Sequence, residues 1–207
     1  MKKLIQCSVG LAIALNTGVA YGATISGSQI IPSTNLPNVN PWTIDLISDG
    51  ITADTPTTLP YYNGFVSNQD RGTITLDLVG EFDLTSFILW NDINVQKEGI
   101  KDFRLDFFNS SNTQIPVSFS TTFVAPIGQV APTEYLFDKL VSGVSRVDLV
   151  VLNSHPLTFN RIEIREVAFT GTPTTATAVP EPTSILGIAV AGFGMLFARQ
   201  GSRHKSK

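Results

Sequence analysis

The sequence predicts an all-β fold, an antiparallel sandwich of the jelly-roll kind, flanked by apolar segments that do not belong to the domain. Period-two alternation with one apolar face recurs from about residue 24 to 171, and helical periodicity is scarce. Polar, Gly-containing clusters cut that region into short runs at intervals that suit sandwiches and barrels. The mean hydropathy is +0.16 although only 15% of residues are charged, and much of that excess sits in two stretches, one at each end.

The first stretch, MKKLIQCSVGLAIALNTGVAYGA, has the order of a secretory signal peptide. Lys2 and Lys3 form a basic start, Leu4 to Leu15 an apolar run, and Ala20-Tyr21-Gly22 a small-x-small cleavage site. Residues 1–22 therefore form the expected leader, and the mature chain is expected to begin at Ala23. Cys7, the single cysteine of the 207 residues, lies inside that leader. An exported domain starting at Ala23 has no disulfide, no thiolate metal ligand and no cysteine nucleophile. A net charge of -3 and a pI near 5.3 give no basic footprint, so nucleic acid is not an expected partner.

The strands follow in order. TITLDLV sets Ile74, Leu76 and Leu78 against Thr73, Thr75 and Asp77. DFRLDFF sets Phe103, Leu105 and Phe107 against Arg104 and Asp106, and VSFSTTF adds Val117 and Phe119. VSRVDLVVL aligns Val147, Leu149 and Val151. RIEIREVAF aligns Ile162 and Ile164, then Val167 and Phe169 after a change of phase. One buried face per strand predicts these alternations. Between them, Asp49-Gly50, Asn63-Gly64, the KEG at 97–99, NSSNTQ at 109–114 and Ser142-Gly143 read as turns. No repeat and no internal linker divides the region, so residues 23–171 read as one domain.

From 172 to 182 Thr, Ala and Pro dominate, a composition that cannot bury a core and predicts an extended linker. Residues 183–198 then form an uncharged run of 16 residues, shorter than the roughly 17–25 of a usual span and expected, with its basic flank, to be a membrane helix. Arg199, Arg203, His204, Lys205 and Lys207 follow in a tail, 199–207, that the positive-inside rule keeps in the cytoplasm. The order VPEP (179–182), apolar span, basic tail resembles the PEP-CTERM sorting signal. That resemblance implies that Pro180, Glu181 and Pro182 are a substrate motif for an exosortase, a membrane-embedded cysteine transpeptidase. It also implies a membrane-held stage, cleavage near the motif, and release to the cell surface or extracellular matrix. Such proteins occur in Gram-negative bacteria, including cyanobacteria, often beside exopolysaccharide genes.

A second resemblance covers most of the mature domain. LISDGITAD (46–54), GFVSNQDRGTITLDLVGEFDLTSFILWND (64–92), GIKDFRLDFFNSSNTQ (99–114) and VSRVDLVVLNSHPLTFNRIEIREVAFTG (144–171) succeed one another. Their order resembles the discoidin, or coagulation-factor C-type, family of galactose-binding-like jelly rolls. Phe65 stands where the family carries a Trp, and Val79 displaces a family Gly. The resemblance implies a structural calcium ion held around the Asp49-Gly50 turn and the last strand, with Asp49, Thr52, Asp54 and Glu166 as ligands. Oxygen donors of this kind suit calcium, and the ion would clamp the first loop to the last strand. The resemblance also implies carbohydrate binding through loops, with His155, Arg161, Trp90 and Asn91 as candidates and Trp42, Tyr61 and Tyr62 as aromatics that could stack on a sugar ring.

Motifs for nucleophilic, metal-hydrolytic or phosphate chemistry are missing: there is no G-x-S-x-G, H-E-x-x-H, P-loop or G-x-G-x-x-G after a strand. The sequence therefore reads as a non-enzymatic exported protein that binds carbohydrate or exopolysaccharide. The alternatives are a structural or adhesive matrix protein without specific sugar binding, and a polysaccharide hydrolase using His155 or Asp49.

Overall fold

The computed structural model describes residues 22–52, 63–91, 99–127, 131–155 and 161–174. The expected leader up to Tyr21, Asp54, Tyr61, Tyr62, the linker beyond Thr174, the sorting motif and the apolar run 183–198 lie outside them. Among the described residues no helix is long and apolar enough to cross a membrane.

Eight strands appear among the described residues: β1 Ala23–Ile25, β2 Ile30–Thr34, β3 Phe65–Ser67, β4 Gly72–Asn91, β5 Ile100–Phe108, β6 Thr122–Val124, β7 Thr133–Ser154 and β8 Ile162–Pro173. All pairings are antiparallel. Two strands are long enough to serve both layers. The first part of β4 lies between β2 and the second part of β7, and β5 and β6 continue that layer outward. The second part of β4 lies between β8 and the first part of β7, and β1 and β3 share the far edge of β8.

The bends that make two layers from one ladder have a visible cause. From the Asp77↔Arg146 pair to the Phe82↔Val144 pair, β4 advances five residues while β7 advances two, so the four residues from Leu78 to Glu81 stand against Ser145 alone. One step later β7 carries the excess, at Ser142 and Gly143. Unmatched residues bend and twist a strand. Gly143 sits at φ 71, where a side chain is disfavoured and glycine is not. Ser142-Gly143 is thus a bulge inside β7, where a chain-reversing turn was expected. The turn at 109–114 does form. Asn109 Oδ1 accepts from the amides of Ser111 and Thr113 at 3.1 and 2.9 Å, and Asn112 takes the left-handed φ of 59.

Alternation works because it fills the space between the layers. Ile74, Leu76, Phe103, Leu105, Phe107, Val147, Leu149, Ile162, Ile164, Val167 and Phe169 are all buried core residues. Aromatic rings tie the layers together: Phe87 meets Phe103 edge-on at 5.7 Å, Phe103 meets Tyr135 at 5.1 Å and 88°, and Phe107 meets Phe137 at 5.3 Å. The phase change expected in β8 is a real bulge. Trp90 pairs with Glu166 but Asn91 pairs with Ile164, so Arg165 is extra.

Two expectations are corrected. Residues 117–121 are not strand, and only Thr122–Val124 pairs with β5. Phe119 still packs inward against Phe137, so an apolar period survived without the ladder. β8 also runs on to Pro173, two residues into the expected linker, because Thr172 and Pro173 still find partners on β4.

Candidate functional site

The strands order the molecule into two poles. At one, β4 ends at Asn91, β5 begins at Ile100, β6 ends at Val124, β7 ends at Ser154 and β8 begins at Ile162. Every ligand or calcium candidate within the described residues sits at or near this pole. At the other, β8 ends beside Glu81, whose carbonyl accepts from the Thr174 amide at 2.9 Å.

The Asp49-Gly50 turn docks on β8. Gly50, at φ 82, donates its amide to Glu166 Oε1 at 3.2 Å. Asp49 folds over its own turn, Oδ1 accepting from Ile51 at 2.9 Å. Asn63 Nδ2 donates to both Asp49 oxygens, at 3.1 and 2.9 Å. Glu166 is fully buried, and its Oε2 is buried without a hydrogen-bond partner. Burial, and then the nearby charge of Asp49, push the Glu166 carboxyl up to about 8, against the amides of Gly50 and Asp49, which pull it down. A carboxyl raised this far is held largely protonated at neutral pH, and a cation beside it would favour its ionised form. The donor chemistry here, two carboxylates beside the main chain of a turn, fits an oxygen-loving divalent cation such as calcium. Thr52 is exposed after the turn. Among the described residues no three His, Cys, Asp or Glu side chains converge as a metal cluster, so carbonyl oxygens would have to complete a coordination shell.

Trp90 lies on β4 directly opposite Glu166. It is half-buried, and its indole Nε1 is buried without a partner. Arg161 precedes β8 and forms an ion pair with the fully buried Glu163. Trp42 is half-buried in a loop pinned to β3. Its amide donates to Val39 O at 2.9 Å, and its carbonyl accepts from Val66 N at 3.4 Å.

Two candidates are corrected. Asn91 is 1% exposed, and its carboxamide is occupied by the main chain of Ile100: Oδ1 accepts from the amide at 2.9 Å and Nδ2 donates to the carbonyl at 2.8 Å. His155 follows β7 directly and is 8% exposed. Its ring Nε2 lies 3.0 Å from Ala125 O, a partner that can only accept, so Nε2 carries the proton. Both side chains are turned into the fold, and neither is available to touch a ligand as placed.

Sequence reasoning missed Asn63, which it read only as a turn residue. It also missed the burial of Glu163, Arg165 and Glu166. The alternation of β8 marks these as an outward face; what covers that face includes the 3₁₀ helix Ile44–Ser48, which has no alternation to reveal it.

No family sequence model matches the chain, and no curated protein matches its sequence. Solved structures do match. The family 32 carbohydrate-binding module from Clostridium perfringens NanJ, in complex with galactose, superposes with a TM-score of 0.54 at 10% identity, covering 71% of this chain and 97% of that one. An F5/8 type C domain from Bacteroides fragilis gives 0.54 at 9% identity, covering 74% and 97%. A fucose-binding module from Streptococcus pneumoniae gives 0.51 at 12% identity, covering 71% and 96%. At such identities the fold is what is shared: this chain is an antiparallel jelly roll like these modules.

Proposed function

We propose that this chain is an exported protein displayed at the cell surface or in an extracellular matrix, and that its β-domain binds carbohydrate and is braced by calcium. The observation that carries the binding reading is the gathering of Trp90, Arg161, Trp42 and the Asp49-Gly50 turn at one pole of a jelly roll. The solved neighbours with this fold include a module holding galactose and one that binds fucose. Fold likeness alone does not carry a ligand across, so the ligand-facing side chains must be tested directly. Arg161 supplies planar donors suited to sugar hydroxyls, and the tryptophans supply rings that a pyranose face can cover.

For calcium, Asp49 and Glu166 would provide the carboxylates and the turn's main chain further oxygens, with Thr52 and Asp54 as the remaining candidates. The ion would neutralise two close carboxylates and tie the turn to β8. No disulfide is available for that task in a chain beginning at Ala23.

Display is supported by where the chain leaves. Ala23 pairs with Gly171, and Thr174 follows β8, so both ends depart from the pole away from Glu166. Along a strand that separation is about 26 Å. A domain held by residues 183–198 and processed by an exosortase at Pro180-Glu181-Pro182 would thus present its candidate site outward. A glycan array probed with residues 23–178, with and without calcium, tests the binding reading. Signal at galactose- or fucose-containing glycans supports it; a blank array under both conditions sinks it.

A further inference from the structure

We infer that Asn91 and His155 form a two-residue latch that ties together the end of β4, the start of β5 and the residues that follow β6 and β7 at the candidate pole, acting from behind the binding surface. The role assigned to them rests on the carbohydrate-binding reading; the latch itself rests on geometry.

Four segment ends meet at these side chains. Asn91 ends β4 and grips both main-chain groups of Ile100, the first residue of β5. Its Nδ2 also reaches Pro126 O, at 3.4 Å. His155, after β7, donates its amide to Gly99 O at 3.0 Å and its ring to Ala125 O at 3.0 Å. Ala125 in turn donates to Lys101 O at 2.7 Å. Asn91, Ile100, Ala125, Ser154 and His155 are all buried. Residues 91, 99–101, 125–126 and 155 are therefore joined by one set of hydrogen bonds.

Gly99 shows how closely the parts fit. A Cβ there would stand 2.6 Å from Asn91 Oδ1, and its φ is 92. The carboxamide thus occupies the space a side chain at position 99 would need. The resemblance to the discoidin family presents His155 and Asn91 as ligand contacts. Their burial makes them positioning residues, because a small displacement at the end of β4 moves Trp90, the residue before Asn91.

Hydrogen–deuterium exchange on the full-length chain tests this, paired with a galactose titration. In Asn91→Leu the Ile100 amide loses its acceptor and should exchange about tenfold faster or more, the effect of a lost buried hydrogen bond. In His155→Leu the amides of Ile100 and Ala125 should both speed up, although neither is bonded to the replaced ring. His155→Gln, which keeps a donor near the Nε2 position, should exchange like the wild type. The 109–114 hairpin at the other pole should not change in any variant. Acceleration confined to residues 153–155, or spread equally to the hairpin, would overturn the latch. If His155→Leu does not fold, accelerated exchange at Ile100 in His155→Gln would overturn it as well. In the titration, His155→Leu should lose at least tenfold in affinity, while His155→Gln stays within about twofold of the wild type. Wild-type protein that takes up no galactose would count against the binding reading, and the exchange pattern would still decide the latch.

Discussion

Glu166 is where the chemistry of the fold is most exposed to test. Its carboxyl is fully buried, one oxygen has no partner, and Asp49 stands close by. A cation held there would offset the burial and the nearby Asp49 charge that keep the carboxyl protonated, and would take the place of its proton. Saturating calcium at a thousandfold excess over Kd should add about 4 kcal/mol, or roughly 10 °C in Tm for a domain of this size. Glu166→Gln should abolish that shift, and differential scanning fluorimetry with calcium and with a chelator reads it. An identical shift in Glu166→Gln would move the ion elsewhere. Trp90 lies opposite Glu166, and the chain has only two tryptophans. In Trp42→Phe, the emission of Trp90 should therefore change on calcium addition, and silence would argue against an ion at Glu166. The Asp49-Gly50 turn was legible in the sequence because turn chemistry is local, whereas Glu166 was singled out only by the family resemblance. Asn63 was not, because its bond to Asp49 is made through space across the intervening segment.

At the scale of elements, β4 and β7 decide the architecture. Each passes from one layer to the other, and Gly143 makes the passage in β7 possible. Gly143→Ala meets no neighbouring atom within 4 Å, so its cost is backbone strain alone, about 1–2 kcal/mol. Gly143→Asn should cost less, since Asn tolerates the left-handed region; urea midpoints for the pair check this, and an equal cost would mean that strain is not the cause. Phe87 touches Phe103, Tyr135 and Phe169, joining β4, β5, β7 and β8. Phe87→Ala should lose about 3–5 kcal/mol in the same unfolding measurement. The strands themselves were legible from period two alone. Their continuity was not: alternation near Gly80 and Gly143 looks like two strands and a turn, whether the chain reverses or bulges through. The run at 117–121 shows the opposite error. Val117 and Phe119 alternate because they pack on the aromatic cluster, and no partner ladder follows from that.

The whole molecule has a direction. Both described ends leave one pole, and the turn, Trp90, Arg161 and the Asn91–His155 latch occupy the other. The sequence motifs at the chain's two ends lie outside the described residues. Fractionated cells should yield a surface or medium form whose mass ends near Pro180-Glu181-Pro182. Intact protein confined to the membrane fraction would leave a simple anchor and contradict sorting. The broad fold could be read from alternation, turn spacing and the order of weak motifs. The site could be read only in part, since burial decides which polar side chains face outward, and burial of Asn91, His155, Glu163 and Arg165 arises from segments distant in sequence. A galactose titration followed by backbone amide NMR shifts of residues 23–178 tests carbohydrate binding at this pole most directly. Saturable shifts centred on Asn63, Trp90 and Arg161 are expected, with the 109–114 hairpin unmoved. No shifts at millimolar galactose, or shifts centred on the hairpin pole, would contradict that binding.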